Sequence, residues 1–380
     1  MMLNSLRVAN FKAVRDSGTL KLGALTVLIG NNGSGKSSLI EALETYQRIV
    51  THGLDDAMQR FMGMEYVHNQ RAKAETPTRF DLKIRTAVGL VRLGMSVASD
   101  RARNRYAITD ESTGSIGAMM AYAMGTRKPD DHKKRWSQGL STLGGNPKFR
   151  DYAELIESWQ FLALVPDRMG YPLPQKRTGG GVRLARDGSN IAEFLLELRE
   201  LDQGAFAGIV EALSFVLPYA RDLQPAVTSE LERKAWLQLS EAGFKVPGWM
   251  LSTGTLRLLA LLALLRHPSP PPLIVVEEIE NGLDPRTIGM LVEEIRNAIT
   301  LKRTQVIATT HSPYLLDLLA LEHLILVERD ESGEPKFFRP EHDESLKAWR
   351  DRFAPGQLYL MDRLHVPKAR KRAKETGKHA

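Results

Sequence analysis

A glycine-rich turn at residues 30–37 has the composition of a phosphate-binding loop. Its sequence, Gly-Asn-Asn-Gly-Ser-Gly-Lys-Ser, follows an apolar run and precedes a segment with helical spacing, which is the context that such a loop requires. Glycines permit a tight curve in which backbone N–H groups turn toward phosphate oxygens, and the helix N-terminus adds positive charge. We expect Lys36 to neutralise the β- and γ-phosphates and Ser37 to bind Mg²⁺. The candidate nucleotide-binding residues of this turn are Asn31, Asn32, Gly33, Ser34, Gly35, Lys36, Ser37 and Ser38.

Two adjacent carboxylates follow an apolar run at residues 273–276. Fully apolar strands belong to parallel sheets, and ligands bind at the carboxyl edge of such sheets. We therefore expect Glu277 to hold Mg²⁺ and Glu278 to orient or deprotonate the attacking water. A pair of solvated glutamates that opens a loop is the alternative, and the phosphate-binding loop in the same chain favours the site.

Two further polar turns stand beside predicted elements. Ser252, Gly254 and Thr255 open an apolar helix, where free N–H groups could bind phosphate or where Ser252 could serve as a simple helix cap. His311 ends the strand that follows the acidic one, and a histidine there can contact a γ-phosphate. The other histidines are expected to be structural or exposed.

These four pieces, in this order, resemble the ABC-type ATPase head of the SMC/RecF/OLD group. The opening Asn-Phe-Lys at residues 10–12 strengthens the likeness, and the chain is most similar to the small predicted AAA/ABC ATPases of bacterial defence and toxin-like operons. The resemblance covers residues 1–110 and 245–365. It implies that Lys12 approaches the nucleotide, that Ser252, Gly254 and Thr255 are signature residues, that Asp284 lies in the loop after the catalytic carboxylate, and that His311 is a switch histidine.

The same resemblance implies ATP and Mg²⁺ as ligands, ATP hydrolysis, and a homodimer that encloses ATP at its interface. In that group, the signature of one subunit completes the site of its partner. Three positions depart from the common pattern: Glu277 stands where many relatives have Asp, Thr255 replaces Gln, and Ile279 replaces Pro. No residue is assigned to the glutamine loop.

The strands and helices that we predict around these residues indicate an α/β fold of the P-loop NTPase type. We expect an antiparallel β subdomain beside a mostly parallel core sheet, because strands alternate with helices after residue 245. The predicted division is residues 1–110 for the first part of the head, 111–245 for an inserted and partly helical lobe, 246–366 for the second part of the head, and 367–380 for a basic tail.

Composition narrows the class of protein further. The chain has 380 residues, no cysteine and a formal net charge of +7, so disulfides and cysteine-based metal sites are excluded. The tail at residues 367–380 supplies most of the excess charge, which makes it weak evidence for a nucleic-acid surface on the folded part. No apolar run is long enough to span a membrane, and a cytoplasmic protein is expected.

Four functions are compatible with an ATPase head. The favoured one is a nucleotide-dependent dimeric switch in bacterial defence that acts with a separate effector. The alternative is a DNA-repair or recombination ATPase that binds DNA through the basic insert and tail. A fused nuclease of the OLD type is disfavoured because too few residues follow position 330 for its extra domain. The opening at residues 10–12 argues against a transporter subunit.

Overall fold

The structure is a computed structural model that describes residues 1–87, 89–100, 105–115, 150–175, 181–229 and 231–365. Its strands are β1 (Met2–Phe11), β2 (Val14–Asp16), β3 (Leu20–Lys21), β4 (Leu25–Ile29), β5 (Thr78–Thr86), β6 (Gly89–Asp100), β7 (Arg105–Ser115), β8 (Gln160–Leu162), β9 (Leu173–Pro174), β10 (Asp222–Val227), β11 (Lys234–Glu241), β12 (Phe244–Pro247), β13 (Leu273–Val276), β14 (Gln305–Thr310), β15 (Leu324–Arg329) and β16 (Pro335–Phe338). Its helices are α1 (Lys36–His52), α2 (Leu54–Gln59), α3 (Arg150–Glu157), α4 (Ile191–Leu201), α5 (Gln203–Val216), α6 (Thr253–Leu265), α7 (Pro285–Thr300), α8 (Pro313–Asp317), α9 (Lys347–Arg350) and α10 (Pro355–Leu360).

The core sheet has the order β16-β15-β4-β14-β13-β8. Every neighbouring pair is parallel except β15 with β16. Its central strands are apolar because both faces are covered: Val27 packs into one hydrophobic cluster, whereas the adjacent Leu28 packs into the other. The shared direction places the carboxyl ends of β4, β13, β14 and β15 at one edge of the sheet, which is where the polar motifs follow.

A second, antiparallel sheet covers the opposite side of α1. It has the order β2-β1-β5-β6-β7, with β3 paired to β1. The inward side chains of this sheet and the apolar face of α1 share a hydrophobic cluster that includes Val8, Phe80 and Tyr46. The predicted antiparallel subdomain is therefore confirmed, and it fixes α1 between two sheets.

The segment between the two halves of the head contains strands as well as helices. Strand β8 pairs with β13 at the edge of the core sheet, and β9 to β12 form a small antiparallel sheet that the sequence analysis does not predict. Strand β11 alternates buried and half-buried side chains, a period of two that indicates a half-buried strand. The sheet packs with α4 and α5 into the same cluster as the apolar helix α6.

The basic insert at residues 127–135 and the tail at 367–380 lie outside the described residues. Within the described part of the chain, no helix is both long and apolar enough to cross a bilayer.

Candidate functional site

The phosphate-binding loop connects β4 to α1. Gly33 has φ 73° and Gly35 has φ 116°, which are left-handed values that glycine adopts at little cost. A side chain at Gly30 is excluded for a second reason, since its Cβ would lie 2.0 Å from the carbonyl oxygen of Val327. The local sequence therefore produces the tight curve that the motif predicts.

Lys36 stands at the first turn of α1, and only 6% of the residue is exposed. Its ammonium group donates hydrogen bonds to the carbonyl oxygens of Gly30 at 2.7 Å and Asn31 at 3.0 Å. Burial lowers the pKa of Lys36, while the charges of Glu278 and Glu280 oppose that shift. A desolvated ammonium at a helix N-terminus gains strongly from a nearby anion. In the same loop, the buried Ser34 hydroxyl has no hydrogen-bond partner among the described residues.

The two predicted acids follow β13 and face different neighbours. Glu277 is mostly buried and pairs with Arg186, whose Nη2 lies 3.0 Å from its Oε1. Burial raises the pKa of Glu277, whereas the charge of Arg186 and the nearby Ser37 hydroxyl counteract that rise. The Ser37 hydroxyl and the Glu277 carboxylate are thus neighbours, as a shared metal site requires.

Glu278 has a left-handed backbone, with φ 49°. Its N–H donates to the Thr309 hydroxyl at 2.8 Å, and its Oε2 accepts a hydrogen bond from Asn281 at 3.2 Å. Left-handed values are uncommon for residues other than glycine and persist where the surroundings impose them. The side chain of Glu278 lines the cavity beside the phosphate-binding loop.

His311 lies at the carboxyl end of β14, next to the acids. Its backbone N–H donates to Glu280 Oε1 at 2.7 Å, and Ser312 caps the short helix α8 through its hydroxyl. His311 itself lines the cavity beside the phosphate-binding loop.

One cavity of about 200 Å³ brings most of the predicted residues together. A wider opening of about 490 Å³ adds Asn31, Glu280 and Asn281 and shares Asn32, Glu278 and His311 with it. The predicted residues that line the cavity are Asn32, Gly33, Ser34, Gly35, Lys36, Ser37, Ser38, Glu277, Glu278 and His311, and the others are Ala13, Thr309 and Arg329.

Five predicted residues line neither cavity of this protomer. Lys12 forms an ion pair with Glu41 at 2.6 Å. Ser252 caps α6 and contacts Thr255, with 2.8 Å between their hydroxyl oxygens. Asp284 caps α7 by accepting hydrogen bonds from the N–H groups of Arg286 and Thr287 and from the Thr287 hydroxyl, bonds that lower its pKa.

Gly254 is the fifth of these residues, and it packs against the loop that follows the acids. A Cβ at this position would lie 2.4 Å from the carbonyl oxygen of Gly282. The turn that opens α6 therefore packs closely against the loop between Glu278 and α7. Its residues do not line either of the two cavities beside the phosphate-binding loop.

Sequence analysis missed several residues that contact the site, among them Arg329, Thr309 and Arg186. Arg329 Nε donates to the carbonyl oxygen of Gly33 at 2.7 Å, Thr309 holds Glu278, and Arg186 holds Glu277. A signal for Arg329 exists, because it ends the apolar strand β15 and parallel strands share their carboxyl edge. Arg186 stands in an irregular segment and offers no such signal.

Comparisons with known proteins agree with this arrangement. The family model described as "AAA domain, putative AbiEii toxin, Type IV TA system" matches residues 128–317, half of the chain, and a model described as an AAA ATPase domain matches residues 1–48. A search of curated proteins found no match.

Solved structures of SMC heads share the fold. One, an SMC head bound to the C-winged helix domain of ScpA, gives a TM-score of 0.54 at 12% identity over 91% of this chain and 100% of that chain. Another, an SMC head with an extended coiled coil from Pyrococcus furiosus, bound to the C-terminal domain of ScpA, gives 0.51 at 11% identity over 92% and 99%. A third, from Pyrococcus yayanosii, gives 0.51 at 10% identity over 92% and 99%.

The half-chain match decides the family, and the low-identity structural matches show the fold alone. The chain therefore belongs to the AbiEii-toxin-like family of AAA ATPase domains, and it is a P-loop ATPase domain of the ABC type with an SMC-head-like α/β fold.

Proposed function

We propose that this protein binds ATP with Mg²⁺ and hydrolyses it, and that ATP controls the association of two copies of the chain. The observation that carries the proposal is the convergence on one cavity of Lys36, Glu277, Glu278 and His311, which come from the ends of three parallel strands. These groups supply a cation for phosphate, oxygen ligands for a metal ion and a candidate general base, the set that phosphoryl transfer to water requires.

The residues present fit Mg²⁺. The Ser37 hydroxyl and the Glu277 carboxylate line the same cavity, and both are oxygen ligands of the kind that Mg²⁺ prefers. No cluster of three or more His, Asp or Glu that could hold a metal ion by itself occurs in the described ranges. Mg²⁺ is ordinarily held by one or two protein oxygens together with phosphates, and when bound it would neutralise charge on the β- and γ-phosphates.

In this proposal Glu278 accepts the proton of the attacking water. Its carboxylate lines the cavity, its backbone is held by Thr309, and its Oε2 accepts a hydrogen bond from Asn281. His311 faces the same cavity and is proposed to contact the terminal phosphate. Lys36 and the N–H groups of the loop would hold the phosphate chain while the water oxygen attacks the γ-phosphorus. The bond between that phosphorus and the bridging oxygen then breaks, and ADP leaves with the negative charge on its β-phosphate.

The dimer is proposed because the Ser252 turn lies away from the cavity of its own protomer. Its hydroxyl and the first turn of α6 form a capped helix N-terminus, which is a site suited to phosphate. In the proposed two-fold dimer this turn faces the ATP of the partner subunit. Lys12 is still proposed to approach the nucleotide, and Asp284 is proposed to act from the loop after Glu278. ATP that contacts both chains favours association by mass action.

The biological role that we propose is a switch in bacterial defence that acts with a separate effector protein. The family description names a toxin of a type IV toxin–antitoxin system, which supports that setting. DNA binding through the insert and the tail depends on residues outside the described ranges and is not proposed.

The test compares the wild-type protein with Lys36→Ala and Glu278→Gln. We expect phosphate release from wild type only, and ATP binding by wild type and Glu278→Gln but not by Lys36→Ala. Light scattering should show a doubled mass for Glu278→Gln with MgATP. Absence of calorimetric heat from MgATP with wild type would refute the site, whereas an unchanged mass with bound ATP would refute only the dimer.

A further inference from the structure

Arg186 connects two acidic side chains beside the phosphate-binding loop. Its Nη2 donates to Glu277 Oε1 at 3.0 Å, and its Nε lies 3.0 Å from Glu44 Oε1. Glu44 has a second cationic neighbour, since its Oε2 lies 2.6 Å from Arg60 Nη1. One guanidinium thus bridges the predicted metal ligand and a nearly buried acid of α1.

The backbone around Arg186 is anchored to the core sheet. The carbonyl oxygen of Arg186 accepts a hydrogen bond from Ala163 at 2.9 Å, and that of Asp187 accepts one from Val165 at 3.0 Å. This strand-like pairing continues β8 beyond Leu162, and the chain then enters α4. The main chain at Arg186 is therefore held by the core sheet, and its side chain reaches the two acids from a fixed position.

Glu44 lies two turns along α1 from Ser37. Residues 37, 41 and 44 occupy one face of that helix because they are spaced by four and three. The face that begins with the Ser37 hydroxyl therefore also presents the alternative carboxylate for Arg186. Glu44 is buried, with 6% of the residue exposed.

Arg186 and a metal ion at Glu277 are electrostatic competitors. A guanidinium 3.0 Å from a carboxylate oxygen neutralises the charge that would attract a divalent cation, and two cations at one partly buried carboxylate repel each other. The bidentate fork of arginine allows one nitrogen to release Glu277 while another keeps Glu44.

We propose that Arg186 is a positioning residue that bridges Glu277 and Glu44, and that it releases Glu277 and keeps Glu44 when Mg²⁺ binds at Ser37 and Glu277. This inference rests on the proposed function, because it assigns a metal-dependent exchange to the same site.

The experiment measures the Mg²⁺ concentration that gives half of the thermal stabilisation by a non-hydrolysable ATP analogue. Removing the competitor in Arg186→Ala should lower this midpoint about fivefold, whereas Glu44→Gln, which leaves Arg186 only Glu277, should raise it about threefold. Affinity for the analogue in EDTA should stay unchanged in both variants. Arg183→Ala is the matched control, because Arg183 lies in the same segment and donates to the carbonyl oxygen of Trp159, not to an acid of the site.

Arg186→Gln replaces the alanine variant if the latter does not fold, and its midpoint should also fall, because the amide carries no positive charge that competes with Mg²⁺ at Glu277. Equal midpoints in wild type, the Arg186 variants and Glu44→Gln would overturn the exchange. A wild type that shows no Mg²⁺-dependent stabilisation would instead refute the proposed function, and the two failures are thereby distinguishable.

Discussion

The Thr309 hydroxyl accepts a hydrogen bond of 2.8 Å from the backbone N–H of Glu278. The carbonyl oxygen of Thr309 also accepts one from Ile279 at 3.1 Å, so one residue of β14 fixes the first two peptide groups after Glu277. Glu278 adopts φ 49°, a conformation that costs a side-chain-bearing residue about 1–3 kcal/mol. Thr309 thus offsets backbone strain at the residue proposed to activate water.

Replacement of Thr309 by valine should lower kcat with little change in KM. The variant keeps the shape of the side chain but leaves the N–H of Glu278 without its acceptor, at a cost of about 1–3 kcal/mol. We expect kcat to fall roughly 10- to 100-fold, measured as steady-state phosphate release. Thr309→Ser retains the acceptor and should stay within about threefold of wild type. An equal loss in both variants would contradict the role of the hydroxyl.

Replacement of Gly254 by alanine should separate the signature turn from the loop after Glu278. The new Cβ would meet the carbonyl oxygen of Gly282 at 2.4 Å, and backbone must move to remove such a clash. We expect a loss of about 1–3 kcal/mol in the free energy of unfolding and weaker ATP-dependent association, measured by denaturation and light scattering.

Gly289→Ala is the control for that substitution. Gly289 lies inside α7, and a Cβ there would meet no atom within 4 Å. Alanine in a helix interior stabilises by roughly 0.5–1 kcal/mol relative to glycine, so this variant should be slightly more stable and should associate normally. Normal association by Gly254→Ala would argue against a role for the turn at the interface.

Removal of the Arg329 side chain should weaken nucleotide binding. Arg329 lines the cavity and holds the carbonyl oxygen of Gly33, so Arg329→Ala frees the loop and removes a cation from the phosphate site. We expect the Kd for MgATP to rise roughly threefold to tenfold, as for loss of one charged hydrogen bond. Isothermal calorimetry checks this result, with Arg15→Ala as a control, because Arg15 pairs with Glu334 at the turn of the same hairpin.

Substitution of Lys36 by methionine should stabilise the nucleotide-free protein while abolishing its stabilisation by ATP. Because burial lowers the pKa of Lys36 below 10.5, the unfolded chain binds the proton more tightly, and charged Lys36 costs stability at neutral pH. That cost is full below the lowered pKa and disappears as pH rises through 10.5. We expect a higher Tm for the variant at pH 7, and a gain that disappears as pH rises through 10.5. A lower Tm for the variant at pH 7 would contradict this.

The predicted helices and strands were largely those observed, because their evidence is local. The apolar run at residues 25–29 and the glycines after it become β4 and the phosphate-binding loop. Helix α6 begins at Thr253, within the turn that was predicted to open an apolar helix. The small sheet of β9 to β12 was missed even though β11 alternates along its length, since its partner strands are short and distant.

The sequence by itself determined the phosphate-binding loop, the paired acids and the strands and helices that flank them, because each of these depends on residue types within a few positions. Only the tertiary structure decided that Arg329 and Arg186 contact this site and that Lys12 pairs with Glu41. These contacts join residues on different elements, and their geometry follows from how the two sheets, α1 and the segment before α4 pack together. Spacing along a chain does not specify which side chains meet until those elements are packed.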